Sequence, residues 1–260
     1  MKPEARREKV LALLRDEPFL SISDIARRLG ISEITARRDV NAIATESQVT
    51  RVRGGVFRVP DDEELPIGWR YHLCRAAKQA IAEKAAALVE DGDVIALDIG
   101  TTALYLAPLL ARRDVIVVTN NLRAADLMAD GIARVVVLGG VVRPRERSIV
   151  GENVLRSLAP YRFSKFFMSV SGVSTRGFTD PNHDEILIKQ TVLSLSDRTF
   201  VLADHRKFGL AQGLVIADLK VVTAVITDTE TSSEGIQLCK EAGTSVIVAS
   251  EPSQPRRAIP

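Results

Sequence analysis

One short segment of the sequence combines the residue types that bind a phosphate group. Asp98, Ile99, Gly100, Thr101 and Thr102 follow an apolar run and precede a helical pattern. Backbone N–H groups at a helix start, a glycine that permits close approach and two hydroxyl groups together favour an anion. The segment lacks the third glycine of a dinucleotide fingerprint and the Gly-Lys-Ser/Thr of a P-loop, which argues against NAD and ATP. The alternative is an ordinary strand-to-helix turn in which Asp98 is a cap.

Polar residues that follow other predicted strands could complete this site. Lysine would neutralise a phosphate, while carboxylates and asparagine would bind sugar hydroxyls. The candidates are Asn120, Gly139, Gly140, Asp180, Glu185, Lys189 and Lys207. Glu185 and Lys189 are also spaced i,i+4, so a surface helix pair without ligand contact is an equal alternative for these two residues.

A second group of residues is suited to DNA. Arginine can contact guanine bidentately, and serine or threonine can reach a base or a phosphate. The candidates are Ser32, Glu33, Thr35, Arg37 and Arg38 at the start of one predicted helix, and Arg51 and Arg53 in the hairpin that follows. Residues 1–58 hold 12 Lys and Arg against 8 Asp and Glu, whereas the whole chain has a net charge of only +2. This asymmetry favours an anionic partner for the first part of the chain, and the alternative is a small helical bundle with solvated arginines.

The elements that must position these arginines are typical of a winged helix-turn-helix. Apolar spacing predicts helices over Arg6–Arg15 and Asp24–Leu29. Either Ser21 or Ser23 could cap the second helix, and Gly30 would end it. Ser32 caps a third helix, in which Ile34, Val40 and Ile43 supply the apolar residues. An alternating pattern then predicts a β-hairpin, the wing, with its turn at Gly54-Gly55.

The remainder of the chain predicts an α/β domain. We expect the DNA-binding domain to span 1–59, a linker 60–75 with the acidic segment Pro60–Pro66, the α/β domain 76–250 and a flexible tail 251–260. Alternating strands and helices favour a mostly parallel, doubly wound sheet with helices on both faces, whose ligands bind at the carboxyl ends of the strands. The predicted strands are Val94–Asp98, Val115–Thr119, Arg134–Leu138, Lys165–Ser171, Thr199–Ala203, Val221–Thr227 and Ser245–Ala249, with helices over Ala76–Glu90, Thr102–Leu110, Leu122–Ala129, Asp184–Ser196 and Ser233–Glu241.

Composition excludes several other classes of protein. No apolar run approaches the roughly 20 residues of a membrane span, and the mixed-charge N-terminus does not resemble a signal peptide. Cys74 and Cys239 provide no disulfide framework, and His72, His183 and His205 show no metal-ligand spacing. We therefore expect a cytoplasmic protein without a metal or a cofactor, in which Cys239 is a buried small hydrophobe.

The N-terminal segment resembles the DeoR family of bacterial transcriptional regulators. The motifs that carry the resemblance are Ile22–Ala26, Ile31–Val40 with its Thr-x-Arg-Arg-Asp sequence, and Arg51–Val56 with its Arg-x-x-Gly-Gly sequence. Ala44, Ser47 and Arg53 depart from the usual Glu, Gly and His of the family, but we expect none of them to lie in the third helix, which would be the recognition helix.

Residues from about Lys78 to Gly209 resemble the sensor domain of the same family. The matching motifs are Leu97–Thr102, Val118–Asn120, Leu138–Gly140 and Ala203–Gly209, whereas Arg143–Ser148 is less family-like. The resemblance implies a fold similar to ribose-5-phosphate isomerase and CoA-transferase domains, a homo-oligomer and a phosphorylated sugar or related metabolite as effector. It also implies that Gly100, Thr101 and Thr102 hold the phosphate, with Asp98, Asn120, Glu185, Lys189 and Lys207 around the sugar.

Two functions follow from these observations. The first is a repressor of carbohydrate-metabolism genes that binds a double-stranded DNA operator and is controlled by the effector through the Pro60–Pro66 linker. The alternative is a sugar-phosphate isomerase fused to a DNA-binding domain, with Glu185 as the base and Lys207 as the electrophile or phosphate anchor. Because a winged domain has no part in isomerisation, we expect a regulator and not an enzyme.

Overall fold

Helices and a small antiparallel sheet form the first part of the chain. A computed structural model describes residues 2–17, 19–46, 49–52, 55–58, 67–144 and 146–250, and the chain divides into two units, Met1–Trp69 and Arg70–Pro260. The first unit contains α1 (Pro3–Asp16), β1 (Phe19–Ser21), α2 (Ile22–Leu29), α3 (Glu33–Glu46), β2 (Val49–Val52) and β3 (Gly55–Arg58). Its sheet has the order β1-β3-β2 with antiparallel pairs, so β1 adds a strand to the predicted hairpin.

The turn between α2 and α3 has the predicted capping residues. Of the two candidate caps of α2, Ser21 accepts a hydrogen bond at Oγ from the Asp24 N–H at 3.0 Å. Gly30 ends the helix with φ of 62°, a conformation that glycine adopts without strain. Ser32 Oγ then accepts from the Thr35 N–H at 3.2 Å and begins α3. These contacts confirm the helix-turn-helix. The third helix is longer than we expected, because α3 extends to Glu46 and so contains Ala44.

Apolar side chains from all three helices form the core of the first unit, and one predicted core residue lies outside it. Val10, Ile25, Val40 and Ile43 are buried, whereas Ile34 is 76% exposed. The prediction for Ile34 was wrong because six residues turn a helix by about 600°, so that Ile34 and Val40 project from different faces.

A seven-stranded sheet dominates the second unit and confirms the predicted α/β fold. Its order is β15-β14-β12-β9-β4-β5-β6, and every pair is parallel. The strands are β4 (Val94–Leu97), β5 (Ile116–Thr119), β6 (Arg134–Val137), β7 (Val141–Arg143), β8 (Ser148–Val150), β9 (Lys165–Ser169), β10 (Gly172–Ser174), β11 (Gly177–Asp180), β12 (Thr199–Leu202), β13 (Leu214–Ala217), β14 (Ala224–Asp228) and β15 (Ser245–Ala249). Strands β7 and β8 form a hairpin, and β10, β11 and β13 form a small antiparallel sheet.

Helices cover both faces of the large sheet. They are α5 (Arg75–Ala86), α6 (Thr101–Leu110), α7 (Leu122–Met128), α8 (Glu152–Leu158), α9 (His183–Ser194) and α10 (Ser233–Glu241), and α4 (Ile67–His72) precedes them in the chain. One face packs Phe166 and Met168 against Leu158, Ile188 and the buried Cys239, which is the small hydrophobe that we expected. On the other face α5 contacts β12, β14 and β15, and α6 contacts β9. No helix in the described ranges is long and apolar enough to cross a bilayer.

The strand order places a crevice between β4 and β9. The chain moves outward from β4 through β5 to β6, and then returns to β9 on the other side of β4 before it moves through β12 and β14 to β15. Ligands of open parallel sheets bind at such a reversal, outside the carboxyl ends of the strands. The segment Asp98–Thr102 leaves β4 at this position.

Parts of the predicted linker and tail cannot be compared with structure. Residues 59–66 and 251–260 lie outside the described residues. Within the remainder of the predicted linker, Ile67–His72 is helical and residues from Arg70 onward belong to the second unit.

Candidate functional site

The first turns of α3 present an exposed, polar face. Ser32, Glu33, Arg37 and Arg38 are exposed, while Thr35 is half-buried. Arg37 makes only a long 3.8 Å ion pair with Glu33, and about half of each of these two side chains is exposed. A surface pair of this kind holds its partners weakly, so the Arg37 guanidinium can turn towards DNA.

A buried ion pair fixes the orientation of this helix. Asp39 is 1% exposed, and Arg6 on α1 donates two hydrogen bonds to its carboxylate, from Nε at 2.6 Å and from NH2 at 3.0 Å. Arg7 approaches the same carboxylate at 3.9 Å. Because bidentate arginine–carboxylate contacts are strongly directional, Arg6 aligns α3 against α1.

Two more residues concern the predicted DNA-binding face. Ile34 was not a predicted DNA-binding residue, although its exposure between Glu33 and Arg37 places an apolar side chain on the same helix start. Arg51 lies on β2 of the wing, opposite Val56 of β3. Arg53 lies outside the described residues.

In the second unit, four polar residues meet at the crevice between β4 and β9. Asp98 Oδ2 accepts a hydrogen bond from the Ser169 N–H at 2.8 Å and lies 3.1 Å from Lys189 Nζ. Lys189 also donates to Asp180 Oδ2 at 2.8 Å and to the Ser169 carbonyl at 2.7 Å. The arrangement brings together the predicted residues Asp98, Asp180 and Lys189. It also includes Ser169, which was not predicted from the sequence.

Lys189 is more deeply buried than an ordinary helix-surface lysine. It is 2% exposed, so the alternative of a surface pair with Glu185 does not apply. Burial opposes its charge, but the carboxylates of Asp180 and Asp98 raise the pKa of Lys189 above its ordinary value. Its three N–H groups are directed at Ser169, Asp180 and Asp98, so that Lys189 fixes the two carboxylates in place.

The start of α6 lies beside this group and has no side-chain cap in the part of the chain that the structure describes. Gly100 is the N-cap residue of α6 and provides no side chain that could cap the helix. A Cβ atom at Gly100 would lie 2.0 Å from Ser169 Oγ, so only glycine fits here. Within the described residues, the buried Ser169 Oγ has no hydrogen-bond partner. An uncapped helix start and an unpaired hydroxyl group together form a suitable binding site for an anionic oxygen.

A second cluster is centred on Glu185, which is 1% exposed. Its Oε1 accepts hydrogen bonds from Ser148 Oγ at 2.6 Å and from Arg143 at 2.9 Å, while Asn120 Nδ2 lies 3.4 Å from Oε2. Burial raises the pKa of Glu185, and the hydrogen bonds from Ser148 and Arg143 oppose this shift. The charges of Lys189 and Asp98 also act on Glu185, so the two clusters are adjacent.

The remaining predicted effector-binding residues are Thr101, Thr102, Gly139, Gly140 and Lys207. Thr101 and Thr102 are buried in the first turn of α6. Gly139 and Gly140 are both exposed, and a Cβ atom at Gly140 would lie 2.6 Å from the Val150 carbonyl oxygen. Lys207 lies in a short 3₁₀ turn after β12, and its charge acts on Lys78.

Comparison with known proteins identifies both domains. The DeoR-like helix-turn-helix domain matches residues 6–60, and the DeoR C terminal sensor domain matches residues 74–229. An uncharacterized HTH-type transcriptional regulator FruR of Bacillus subtilis (strain 168) is 33% identical over 237 residues, which cover 88% of this chain and 92% of that protein. The glycerol-3-phosphate regulon repressor of Escherichia coli (strain K12) is 28% identical over 231 residues, with the same coverage of 88% and 92%.

A solved structure shares part of the fold only distantly. Ribose 5-phosphate isomerase A of Methanocaldococcus jannaschii is 20% identical with a TM-score of 0.38, over 50% of this chain and 53% of that chain. This likeness carries no argument about function, whereas both of the similar relatives are named as a regulator or a repressor and not as an enzyme. The chain therefore belongs to the DeoR family of transcriptional regulators, with a DNA-binding domain followed by a sensor domain.

Proposed function

We propose that this regulator represses genes of carbohydrate metabolism and that a phosphorylated sugar or related metabolite controls it. The name of the glycerol-3-phosphate regulon repressor, a relative that is similar over 88% of this chain, supports a repressor that responds to a phosphorylated metabolite. We further propose that the protein acts in the cytoplasm as a homo-oligomer, since one winged domain reads few base pairs and paired half-sites require paired domains.

On the DNA side, the start of α3 enters the major groove. Arg37 and Arg38 hydrogen-bond guanine edges, and Ile34 contacts the methyl group of a thymine. Ser32, Glu33 and Thr35 lie beside them at the helix start, and the wing arginines Arg51 and Arg53 contact the adjacent phosphates. The exposure of Ile34 supports this assignment, because an isoleucine at this position has no packing role in the first unit.

On the effector side, the phosphate binds at Gly100, Thr101 and Thr102. The observation that carries this proposal is the unpaired Ser169 hydroxyl, which faces Gly100 at the uncapped start of α6. Asp98, Asn120, Asp180 and Glu185 then bind sugar hydroxyls, and Lys189 positions the two aspartates rather than the phosphate. Gly139, Gly140 and Lys207 form the outer part of the site.

The hairpin β7–β8 transmits the effector signal. Arg143 and Ser148 of this hairpin hold Glu185, and Glu146 between them forms a buried ion pair with Arg70 of α4. A sugar hydroxyl that binds Glu185 competes with the hairpin, and a displaced hairpin releases Arg70, which lies within the predicted linker 60–75. A ligand changes DNA affinity only through unequal affinity for two such arrangements.

A thermal-shift titration with phosphorylated and free forms of the same sugars tests this function. A ligand at 100 times its dissociation constant adds about 2.7 kcal/mol to the free energy of unfolding. We expect stabilisation by one phosphorylated sugar but not by its free form, and loss of that response in Ser169→Ala. The control Ser157→Ala, which alters an exposed serine on α8, should respond like the wild type. Equal stabilisation by the free and the phosphorylated form of a sugar would contradict the proposed phosphate-binding site.

A further inference from the structure

Three residues with metal-binding side chains meet at one edge of the sensor domain. Cys74 immediately precedes α5, and Asp204 and His205 follow β12. One ligand atom from each, namely the thiol sulfur, a carboxylate oxygen and a ring nitrogen, lies within 4.8 Å of the other two. Because Cys74 and His205 are 131 positions apart, no local spacing in the sequence indicates this cluster.

A buried carboxylate orients the histidine as it would in a metal site. Asp228 is 3% exposed, and its Oδ1 lies 2.9 Å from His205 Nδ1 while its Oδ2 accepts from the His205 backbone N–H at 2.8 Å. Asp228 Oδ1 also accepts from the Glu230 N–H at 3.0 Å. A histidine that donates from Nδ1 to a carboxylate directs the lone pair of Nε2 outward, and this is the usual arrangement of metal-bound histidine.

The distances around His205 Nε2 are close to those of a tetrahedral ion. Cys74 Sγ lies 4.0 Å from Nε2, and Glu230 Oε2 lies 3.5 Å from it. Two ligands of a tetrahedral Zn²⁺ ion, with bonds of about 2.0–2.3 Å, lie about 3.3–3.8 Å apart. The Glu230–His205 distance therefore lies within this range, and the Cys74–His205 distance exceeds it by about 0.2 Å.

We propose that Cys74, Asp204 and His205 bind a divalent transition-metal ion of the Zn²⁺ class, with Glu230 as the fourth ligand and Asp228 as the positioning residue. One thiolate and one imidazole favour such an ion over Mg²⁺ or Ca²⁺, which prefer oxygen ligands. The thiol proton passes to solvent when the sulfur binds the ion. This differs from our expectation from the sequence, in which the histidines were isolated and no metal was expected.

The ion would join two distant parts of the sensor domain. It would tie the residue before α5 to the turn after β12, in addition to the contact that α5 already makes with that strand. Burial and the Asp204 carboxylate raise the pKa of the Cys74 thiol to about 11, while the charges of Arg206 and Lys78 oppose this shift, so the ion must displace the thiol proton when it binds.

Cobalt titration of the full-length protein, first stripped with a chelator, tests the proposal. Co²⁺ gives a thiolate charge-transfer band only when cysteine sulfur binds it, and competition with Zn²⁺ then gives the affinity for zinc. We expect one ion per chain with this band in the wild type and in Cys239→Ala, and no band in Cys74→Ala. The two cysteines are the only ones in the chain, so Cys239→Ala is the matched control.

Asp228→Asn tests the positioning role separately, with an expected loss of about 10–100-fold in affinity. Metal-free melting curves of each variant establish whether it folds. A wild type that binds no Co²⁺, or a thiolate band that persists in Cys74→Ala, would overturn the proposal. Neither result depends on DNA or on the effector.

Discussion

Substitution of Gly100 by alanine should destabilise the sensor domain through a single, identifiable clash. The new Cβ would lie 2.0 Å from Ser169 Oγ and 2.2 Å from Ser169 Cβ. Rotation of the Ser169 hydroxyl removes only the clash with Oγ. The clash with Ser169 Cβ remains, and an ordinary contact of 3.4 Å requires Gly100 and Ser169 to move apart by about 1.2 Å. Such a shift disturbs the hydrogen bonds of Ser169 with Asp98 and Lys189, which measure 2.8 and 2.7 Å.

We expect a loss of about 2–3 kcal/mol in the free energy of unfolding, in the upper part of the range for overpacked cores, because charged hydrogen bonds are disturbed. For a domain of this size the melting temperature should fall by about 4–12 °C. The assay is thermal unfolding followed by circular dichroism. Ser169→Gly should restore most of the loss in the double variant, whereas Ser169→Ala, which keeps the Cβ, should not. A Gly100→Ala variant that melts like the wild type would refute the reasoning.

Three further predictions concern the DNA-binding face and the acidic cluster. Arg37→Ala should weaken binding to the specific DNA site by about 1–3 kcal/mol in a fluorescence anisotropy titration. The control Arg156→Ala, which removes an exposed arginine from α8, should leave this affinity unchanged. Equal effects of the two variants would indicate only a loss of net charge. Ile34→Ala should weaken the same complex without a change in melting temperature, because Ile34 is exposed. Val40→Ala should lower the melting temperature, because Val40 is buried. A lower melting temperature of Ile34→Ala would contradict the exposed position of Ile34. Burial raises the pKa of Glu185 above its ordinary value of 4.5, so the folded state binds the carboxyl proton more tightly than the unfolded state does. The contribution of this proton to stability is therefore lost as the pH rises through the raised pKa. The melting temperature of the wild type relative to Glu185→Gln should therefore increase as the pH is lowered from 7 towards 4.5, and a constant difference would contradict the raised pKa.

The parts of the fold that follow from local patterns could be predicted from the sequence. Ser21, Gly30 and Ser32 act on residues within three or four positions, so their caps are visible in the sequence. The strands of the parallel sheet are short apolar runs, and such runs are also visible as local patterns in the sequence. Strand β1, by contrast, has three residues, and its partner β3 lies more than 30 positions away, so no local pattern indicates it.

The contents of the sensor pocket were only partly predictable. Asp98 and Asn120 follow strands of the parallel sheet, and the rule that ligands bind at strand ends selects them. The rule does not select Ser169, because the predicted strand runs to Ser171, whereas β9 ends at Ser169. Arg143 and Ser148 lie on a hairpin outside the parallel sheet, and only the tertiary structure brings them to Glu185.

The most direct test of the account is the affinity for DNA with and without effector. The full-length protein would first select its binding site from a random DNA pool, and the dissociation constant of that site would then be measured at fixed salt with paired phosphorylated and free sugars. We expect one phosphorylated sugar to change the dissociation constant by about 5–150-fold, the usual range of allosteric coupling, while its free form has no effect. A dissociation constant that no phosphorylated sugar changes would contradict the proposal that this sensor domain controls DNA binding through a sugar phosphate.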